Sequence, residues 1–231
     1  MVAIHQYRFL LTALTIFLLL SYSANARAIP EISWDFKLAT PGAQIKFEEQ
    51  SESSYYVMWV SGLPKDKHYV LWTKWLDGRT WNESVPDTNA LFEGKSVFTY
   101  HHVYRGEPLD YAIISSDQAV RAYAQLIPFP LEAIGEGGCK LSVTLLSPNG
   151  RLFAIIGEGF KPGEQVTTIS KSESEILSHE AIALKDGRIA AYVDPGVVGK
   201  TGGSATFQAL SKTCDVTIRY EWGTAMKMIG E

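Results

Sequence analysis

Two glycine-rich segments carry residue types that could act on a substrate. A hydrolase serine stands in a Gly-x-Ser-x-Gly turn between a strand and a helix. Residues 202–206 read GGSAT, so the final glycine is missing, and the segment is expected to be a turn that leads into a strand rather than a helix. Residues 196–201 read GVVGKT and resemble a phosphate-binding loop, but their two glycines stand too close together. Neither segment therefore predicts catalysis or nucleotide binding.

Histidines and carboxylates give no stronger signal for chemistry. His101 and His102 are adjacent, and adjacent strand residues point to opposite faces of a sheet, so they are not expected to share a metal. A hydrolase could use Asp77, Glu83 and Asp110 with His101 if loops brought them together in a cleft. The sequence predicts no catalytic residue, no metal site and no cofactor.

Aromatic residues are concentrated in the first half of the chain. Tryptophan occurs there at positions 34, 59, 72, 75 and 81 and again only at position 222. Alternation along residues 69–76 places Trp75 on one face of a strand and Trp72 on the other. Since one face fills a core, part of this aromatic surface is expected to bind a sugar ring or a protein partner. The candidate binding residues are Trp72, Trp75, Trp81, Tyr55 and Tyr104.

Two other interpretations of these aromatic residues stay open. They fill an ordinary core, with Trp59 as the buried tryptophan of a sandwich, or they lie in a joint between two domains.

The cysteines predict a disulfide. Cys139 and Cys214 are the only two in the chain, and an even number of cysteines in an exported protein favours pairing. The alternative is two buried free thiols.

The first 26 residues have the order of a secretory signal peptide. Arg8 precedes an apolar run over residues 9–20, and small residues at Ala24 and Ala26 offer a cleavage site. The run is shorter than the roughly 20 residues that span a bilayer, although a retained anchor stays the alternative. We therefore expect export to a bacterial periplasm or to the extracellular space, with membrane contact only through an uncleaved signal segment.

Charge excludes one class of partner. The net charge is −4, and no basic stripe is present to follow a phosphate backbone, so no nucleic acid is expected as a partner. Export likewise argues against a nucleotide ligand.

The hydrophobic pattern predicts an all-β protein of two tandem Ig-like antiparallel β-sandwich domains. Apolar residues alternate with a period of two and are interrupted by turn residues at intervals of about 8–12 residues. Strands are expected near residues 43–49, 54–61, 68–76, 96–104, 109–116 and 119–127, and near 139–147, 151–158, 164–171, 179–184, 188–193, 204–210 and 214–222.

A boundary between the predicted domains falls at residues 127–138. Pro128 and Pro130 cannot sit in a central strand, and three glycines follow them closely. The predicted organisation is a signal peptide at 1–26, an aromatic-rich sandwich at 27–131 and a disulfide-containing sandwich at 138–231. The two halves also align weakly with each other, with Gly62 falling on Gly159.

Short turns resemble known families at the level of fold. The sequence GFKPGEQV at 159–166 is similar to a turn of bacterial Ig-like modules, and residues 62–71 resemble a turn in the N-terminal sandwich of acyl-CoA thioesterases and bile-acid acyltransferases. The second family carries its chemistry in a following α/β-hydrolase domain, for which this sequence shows no segment. The resemblance therefore implies a sandwich and no activity.

Three functions are consistent with these observations. The favoured one is an exported, non-enzymatic binding or interaction protein for a glycan or a protein partner. The alternatives are a secreted or periplasmic hydrolase with loop carboxylates, and a structural or secretion-accessory protein. The last would need an uncovered sheet edge free of lysine and proline.

Overall fold

A computed structural model describes residues 32–50, 55–85 and 88–229. The predicted signal peptide, residues 1–26, lies outside the described residues. All the elements named below belong to one compact unit, Asp35–Glu231.

Nearly all regular structure is antiparallel strand. The first half contains a 3₁₀ turn (Phe36–Leu38), β1 (Gln44–Glu49), β2 (Tyr55–Ser61), β3 (Tyr69–Lys74), β4 (Thr80–Ser84), the short helix α1 (Thr88–Phe92), β5 (Ser96–Thr99), β6 (Val103–Tyr104), β7 (Leu109–Ser115) and β8 (Arg121–Leu126). The second half contains β9 (Leu131–Ile134), β10 (Lys140–Leu145), β11 (Phe153–Glu158), β12 (Gln165–Ser172), β13 (Glu175–Ile182), β14 (Ile189–Val193), β15 (Gly202–Leu210), β16 (Asp215–Gly223) and β17 (Met228–Ile229).

Two sandwiches with the same strand order contain most of these strands, and β6 and β17 form a separate two-stranded sheet. In the N-terminal sandwich one sheet has the order β1-β2-β5 and the other β4-β3-β7-β8. In the C-terminal sandwich the order β10-β11-β14 is extended by β9, and the facing sheet has the order β13-β12-β15-β16. A three-stranded sheet opposite a four-stranded sheet in this sequence order is an immunoglobulin-like arrangement, so the predicted Ig-like all-β fold is confirmed.

Each sandwich has its own core, made by strand alternation. Along β16, for example, Val216, Ile218, Tyr220 and Trp222 are buried while the residues between them are exposed or half-buried. Successive side chains of a strand point to opposite faces, so this spacing delivers one face to the core. Fully burying a large apolar side chain contributes about 1.5–3 kcal/mol.

The internal similarity seen in the sequence marks equivalent positions of the two sandwiches. Gly62 follows β2 with φ 71°, and Gly159 follows the equivalent strand β11 with φ 85°. A Cβ at Gly62 would lie 2.0 Å from the carbonyl oxygen of Gly42, and one at Gly159 would lie 3.0 Å from the Cα of Cys139. Both turns therefore need glycine for backbone conformation and for close approach to the first strand.

Several strands differ from expectation. The strand expected over 96–104 is two strands, β5 and β6, and β6 pairs with β17 at the C-terminal end of the described chain. The sequence also did not predict β4, β9 or α1. Strand β13 begins at Glu175 rather than near 179, because it pairs with β12 along its whole length.

The predicted disulfide is confirmed. Cys139 and Cys214 are paired with their Cα atoms 6.1 Å apart, an ordinary separation for a disulfide. The bond joins the residue before β10 to the residue before β16, and both cysteines are buried.

A junction of buried groups connects the sandwiches. Leu76 and Tyr104, from the first half, pack against the core of the C-terminal sandwich. The N–H of Leu145 donates to the carbonyl of Gly106 at 2.8 Å, and the neighbouring Glu107 is buried. The division into domains at 27–131 and 138–231 stays a prediction.

Candidate functional site

A groove opens where two sheet edges of the N-terminal sandwich face each other. Strand β4 is an edge of one sheet and β5 is an edge of the other. Between them lies a cavity of about 240 Å³, which we call the aromatic groove. Its lining consists of Thr73, Trp75, Trp81, Glu83, Phe98, Thr99, Tyr100, His101, Val103, Leu109 and Tyr111.

The two tryptophans of the groove come from one hairpin. Thr73 on β3 lies opposite Trp81 on β4, and Trp75 follows on the same face of the chain as Thr73. Trp75 is half-buried against the core of the N-terminal sandwich. Trp81 is 62% exposed. One indole therefore forms part of the wall, while the other offers its face to solvent.

A tight turn holds this hairpin in place. Trp75 N–H donates to the carbonyl of Arg79 at 2.9 Å, and Gly78 N–H donates back to the carbonyl of Trp75 at 3.0 Å. The Arg79 guanidinium lies 5.6 Å from the Trp75 ring centroid, within reach of a cation–π contact. Desolvation alone would raise the pKa of Asp77. Hydrogen bonds and charge from Arg79 nevertheless hold that pKa below its usual value.

Neutral phenols form the base of the groove. Tyr111 Oη donates to Tyr100 Oη at 3.0 Å. Burial raises the pKa of Tyr100 to about 12 and raises the pKa of Tyr111 well above the usual range. The ring centroid of Phe98 lies 6.3 Å from that of Tyr111. These groups stay uncharged at neutral pH, so the base of the groove carries no charge.

The rim of the groove is polar. Glu83 and His101 are exposed there, and Thr73 and Thr99 add hydroxyl groups. Among the residues lining the groove, Glu83 is the one carboxylate. The rim can therefore donate and accept hydrogen bonds but lacks the carboxylate pair of a glycoside hydrolase.

The other carboxylates considered for catalysis lie elsewhere. Asp77 is engaged by Arg79 in the hairpin turn. Asp110 accepts from Gln125 at 2.9 Å and lies 3.8 Å from the Lys74 ammonium. Across residues 32–50, 55–85 and 88–229, no three His, Cys, Asp or Glu side chains are grouped to hold a metal ion.

Two smaller expectations about local motifs are wrong. His101 and His102 do not alternate along a strand, because they lie between β5 and β6 and His102 has φ 58°. Residues 202–206 are not a turn but the start of β15. There the hydroxyl of Ser204 accepts a hydrogen bond from Arg219 Nε at 2.8 Å.

Of the five candidate aromatic residues, the groove contains Trp75 and Trp81. Trp72 lies on the outer face of its sheet, where it is in register with Asn82 and Ala112, and it is buried. Tyr55 is half-buried on β2, opposite Thr99. Tyr104 lies in the junction between the sandwiches. The structure thus brings Trp75 and Trp81 together and places the other three residues elsewhere.

The alternative interpretation of Trp59 as a core tryptophan is wrong. Its side chain is 39% exposed, and Nε1 donates to Glu48 Oε2 at 3.2 Å. Tyr56 and Met58 occupy the inward positions of β2, so alternation turns Trp59 outward. The fully buried tryptophan is Trp222 in the C-terminal sandwich.

Sequence reasoning did not associate Phe98 and Tyr100 with the tryptophans. Phe98 lies on β5 and Tyr100 directly follows it, so alternation puts both on one face of the chain. Their position beside Trp81 depends on β5 pairing with β2, a long-range contact that the local pattern does not specify.

Comparisons with known proteins give no family assignment. No protein-family model matches the chain, and no curated protein matches it. Two similar solved structures are the tetra-tandem repeat in the extending region of a large adhesion protein and the chicken interferon gamma receptor alpha chain. The first is 11% identical with a TM-score of 0.29, and the match covers 78% of this chain and 48% of the adhesion-protein chain. The second is 10% identical with a TM-score of 0.24, and the match covers 83% of this chain and 98% of the receptor chain.

The chain therefore spans about half the length of the adhesion repeat structure. Likeness at these TM-scores carries no functional argument, and the fold description rests on strand order and register. In the described part of the chain, none of the helices has the length and apolarity to cross a bilayer.

Proposed function

We propose that this chain is an exported, non-enzymatic binding protein that holds a saccharide ring in the aromatic groove. The observation that carries the proposal is the convergence of Trp75 and Trp81 on one cavity with a polar rim. The two tryptophans are not adjacent in sequence, but one hairpin brings both to the same sheet edge.

The lining matches the two-sided chemistry of a sugar. An indole offers a broad apolar face that can cover the C–H face of a pyranose ring. Thr73, Glu83, Thr99 and His101 can then hydrogen-bond the ring hydroxyls from the rim. The neutral phenols beneath them favour an uncharged ligand.

The size of the groove favours a small ligand over a protein surface. Its volume of about 240 Å³ is slightly below the roughly 300–1,000 Å³ of pockets for drug-sized ligands. A stable protein interface instead buries about 1,200–2,000 Å², which requires a much broader surface than the opening of one such groove. One sugar ring, at the end of a longer glycan or within it, fits this scale.

Export is supported by the disulfide. The Cys139–Cys214 bond is of a kind that persists in oxidising compartments such as the periplasm or the extracellular space. The predicted signal peptide at 1–26 is consistent with the same destination.

The proposal is tested by saccharide binding with matched tryptophan variants. A glycan array would select a soluble oligosaccharide, and titration would follow the tryptophan fluorescence of the mature protein. We expect Trp81→Ala and Trp75→Ala to weaken binding at least tenfold, equivalent to about 1.4 kcal/mol. Trp59→Ala is the control, because Trp59 is also partly exposed but lies outside the groove.

Two outcomes would reject the saccharide proposal. One is binding that Trp81→Ala and Trp75→Ala leave unchanged while circular dichroism shows intact folding. The other is a protein partner whose capture depends on Trp81 although no glycan binds.

A further inference from the structure

The C-terminal sandwich has an edge strand with little protection. Within the described residues, β13 pairs with β12 and with no other strand. Its sequence, EILSHEAI, contains neither lysine nor proline. Ile176, Leu177 and Ile182 are each more than half exposed. Soluble proteins usually guard such an edge with lysine, proline or a bulge, because its backbone groups can pair with another chain.

The one carboxylate in the middle of β13 is exposed, and it is hydrogen-bonded to the strand on the paired side of the edge. Glu180 accepts from Thr167 Oγ1 at 2.8 Å and from Gln165 Nε2 at 3.0 Å. Both partners lie on the neighbouring strand β12. These hydrogen bonds hold the Glu180 carboxylate toward β12 and away from the unpaired side of β13.

The core beneath this edge is open. A cavity of about 340 Å³ lies between β13 and β14, and its apolar lining includes Ile155, Leu177, Ile189 and Phe207. The outer strand β14 exposes Tyr192 beside the same opening. An apolar opening between two uncovered edges is a surface that another chain can cover.

We propose that β13 pairs antiparallel with β13 of a second copy of this chain, about a two-fold axis at His179. A two-fold axis perpendicular to the sheet keeps the inward faces of both copies on one side. Paired residues must then have the same orientation, so odd positions pair with odd positions and even with even. Such an interface uses the same patch on both copies.

Register at His179 gives the best self-complementarity. Ile176 then lies opposite Ile182, and Leu177 lies opposite Ala181, each twice by symmetry. Opposed apolar pairs of this kind stabilise an antiparallel sheet. Moving the axis to Ser178 would place Ile176 against Glu180, and moving it to Glu180 would oppose two carboxylates. Both alternative registers are therefore less favourable.

Charges at the two ends of the strand support the same pairing. Glu173 and Glu175 are at the start of β13, and Lys185 follows soon after its end. With the axis at His179, the antiparallel arrangement brings the acidic start of one strand beside Lys185 of the second copy. This attraction of unlike charges is lost in a parallel arrangement.

The experiment measures self-association of the full mature chain by sedimentation equilibrium. We expect a dimer that Ile182→Lys weakens at least tenfold, because the new charge enters the interface twice. Ile134→Lys is the matched control, since Ile134 is an exposed isoleucine on β9, at the opposite edge of the same sandwich. Circular dichroism confirms that both variants are folded.

A cross-linking variant tests the register directly. His179→Cys would place two thiols opposite each other at the axis, so mild oxidation should give a covalent dimer. Ile176→Cys is the control, because its partner across the axis is Ile182, and it should cross-link far less.

A wild-type chain that stays monomeric at high concentration would overturn the proposal, as would a dimer that Ile182→Lys leaves intact. Equal cross-linking of the two cysteine variants would overturn the register. None of these results depends on saccharide binding by the N-terminal sandwich.

Discussion

The gap between β4 and β5 and the gap between β13 and β14 occupy the same place in two sandwiches of equal strand order. The first gap is lined by indole and phenol rings with a polar rim. In the second, half of the lining residues are aliphatic, and the strand that borders it is exposed along nearly its whole length. Strand order therefore decides where a sandwich is open, and edge side chains decide what the opening can bind.

The sequences of the two edge strands express this difference. Strand β4 reads TWNES, with Trp81 and Glu83 facing the groove. Strand β13 reads EILSHEAI, with bulky aliphatic residues on both of its faces. A short polar strand carrying one large aromatic suits a small ligand, whereas a longer aliphatic strand suits another strand.

A second contrast lies at the corner where the first and last strands of each sandwich meet. In the N-terminal sandwich, Thr40 N–H donates to the carbonyl of Arg121 at 2.9 Å, and Arg121 N–H donates to Thr40 Oγ1 at 2.9 Å. In the C-terminal sandwich, the Cys139–Cys214 disulfide occupies the corresponding corner. One corner is held by hydrogen bonds and the other by a covalent bond.

The largest expected effect comes from removing that covalent bond. The disulfide closes a sequence separation of 75 residues, so replacing both cysteines with serine should lower the free energy of unfolding by about 4 kcal/mol in the chain-entropy model. Urea denaturation followed by circular dichroism measures the loss. The aromatic groove lies in the other sandwich, so ligand affinity under native conditions should hold.

Two results would break this contrast between the corners. A loss below about 1 kcal/mol, no more than an ordinary hydrogen bond contributes, would make the two corners equivalent. Loss of groove binding in the folded double variant would show that the disulfide also shapes the N-terminal sandwich.

The equivalent glycines sharpen the comparison with an intermediate effect. Both have positive φ, and a residue with a Cβ in that conformation costs roughly 1–2 kcal/mol. At Gly62 the added Cβ would also meet a backbone oxygen at 2.0 Å, against 3.0 Å to a backbone carbon at Gly159. We therefore expect Gly62→Ala to lose about 3 kcal/mol, beyond the conformational cost alone, and Gly159→Ala to lose less.

Urea denaturation of the two glycine variants side by side measures this difference. Equal losses would mean that the first strand of the N-terminal sandwich moves aside easily, and the two turns would then be energetically alike.

Strand alternation was sufficient to predict the parts of the fold in which one face is buried. Strands β10, β11 and β16 show clear alternation, and the sequence located each of them closely. Strand β4 was missed because it is a short polar edge, and β13 was predicted too short because its apolar residues do not face a closed core. Local pattern cannot show pairing that another strand imposes.

The candidate site was predictable to the same extent. Trp75 and Trp81 were named from their sequence, because large aromatic residues near a hairpin are conspicuous. Trp72 and Tyr104 were named on the same grounds, but the outer sheet face and the junction bury or half-bury them. What separates the two pairs is the packing of whole sheets, which residue type alone does not encode.

The smallest expected effect tests how closely the junction between the two sandwiches is packed. Glu107 is buried in the junction, where its carboxylate accepts from the N–H of Tyr104 at 3.0 Å. Burial raises the pKa of Glu107 by more than hydrogen bonds from the backbone N–H groups of Tyr104 and Leu76 lower it. The charges of Asp77 and Arg79 act on it in opposite directions.

The raised pKa gives the pH dependence a definite sign. The folded protein keeps this proton at a pH where the unfolded chain has lost it, so the stabilising contribution is complete below the ordinary glutamate pKa of about 4.3. It falls as pH rises through the higher folded value. Glu107→Gln is neutral throughout, so its stability relative to wild type should increase from about pH 4 toward neutrality.

Urea denaturation of both proteins across this pH range measures the difference, which we expect to be smaller than the loss from removing the disulfide. A difference independent of pH would mean that Glu107 is solvated in the folded state. The junction would then be looser than its packing indicates.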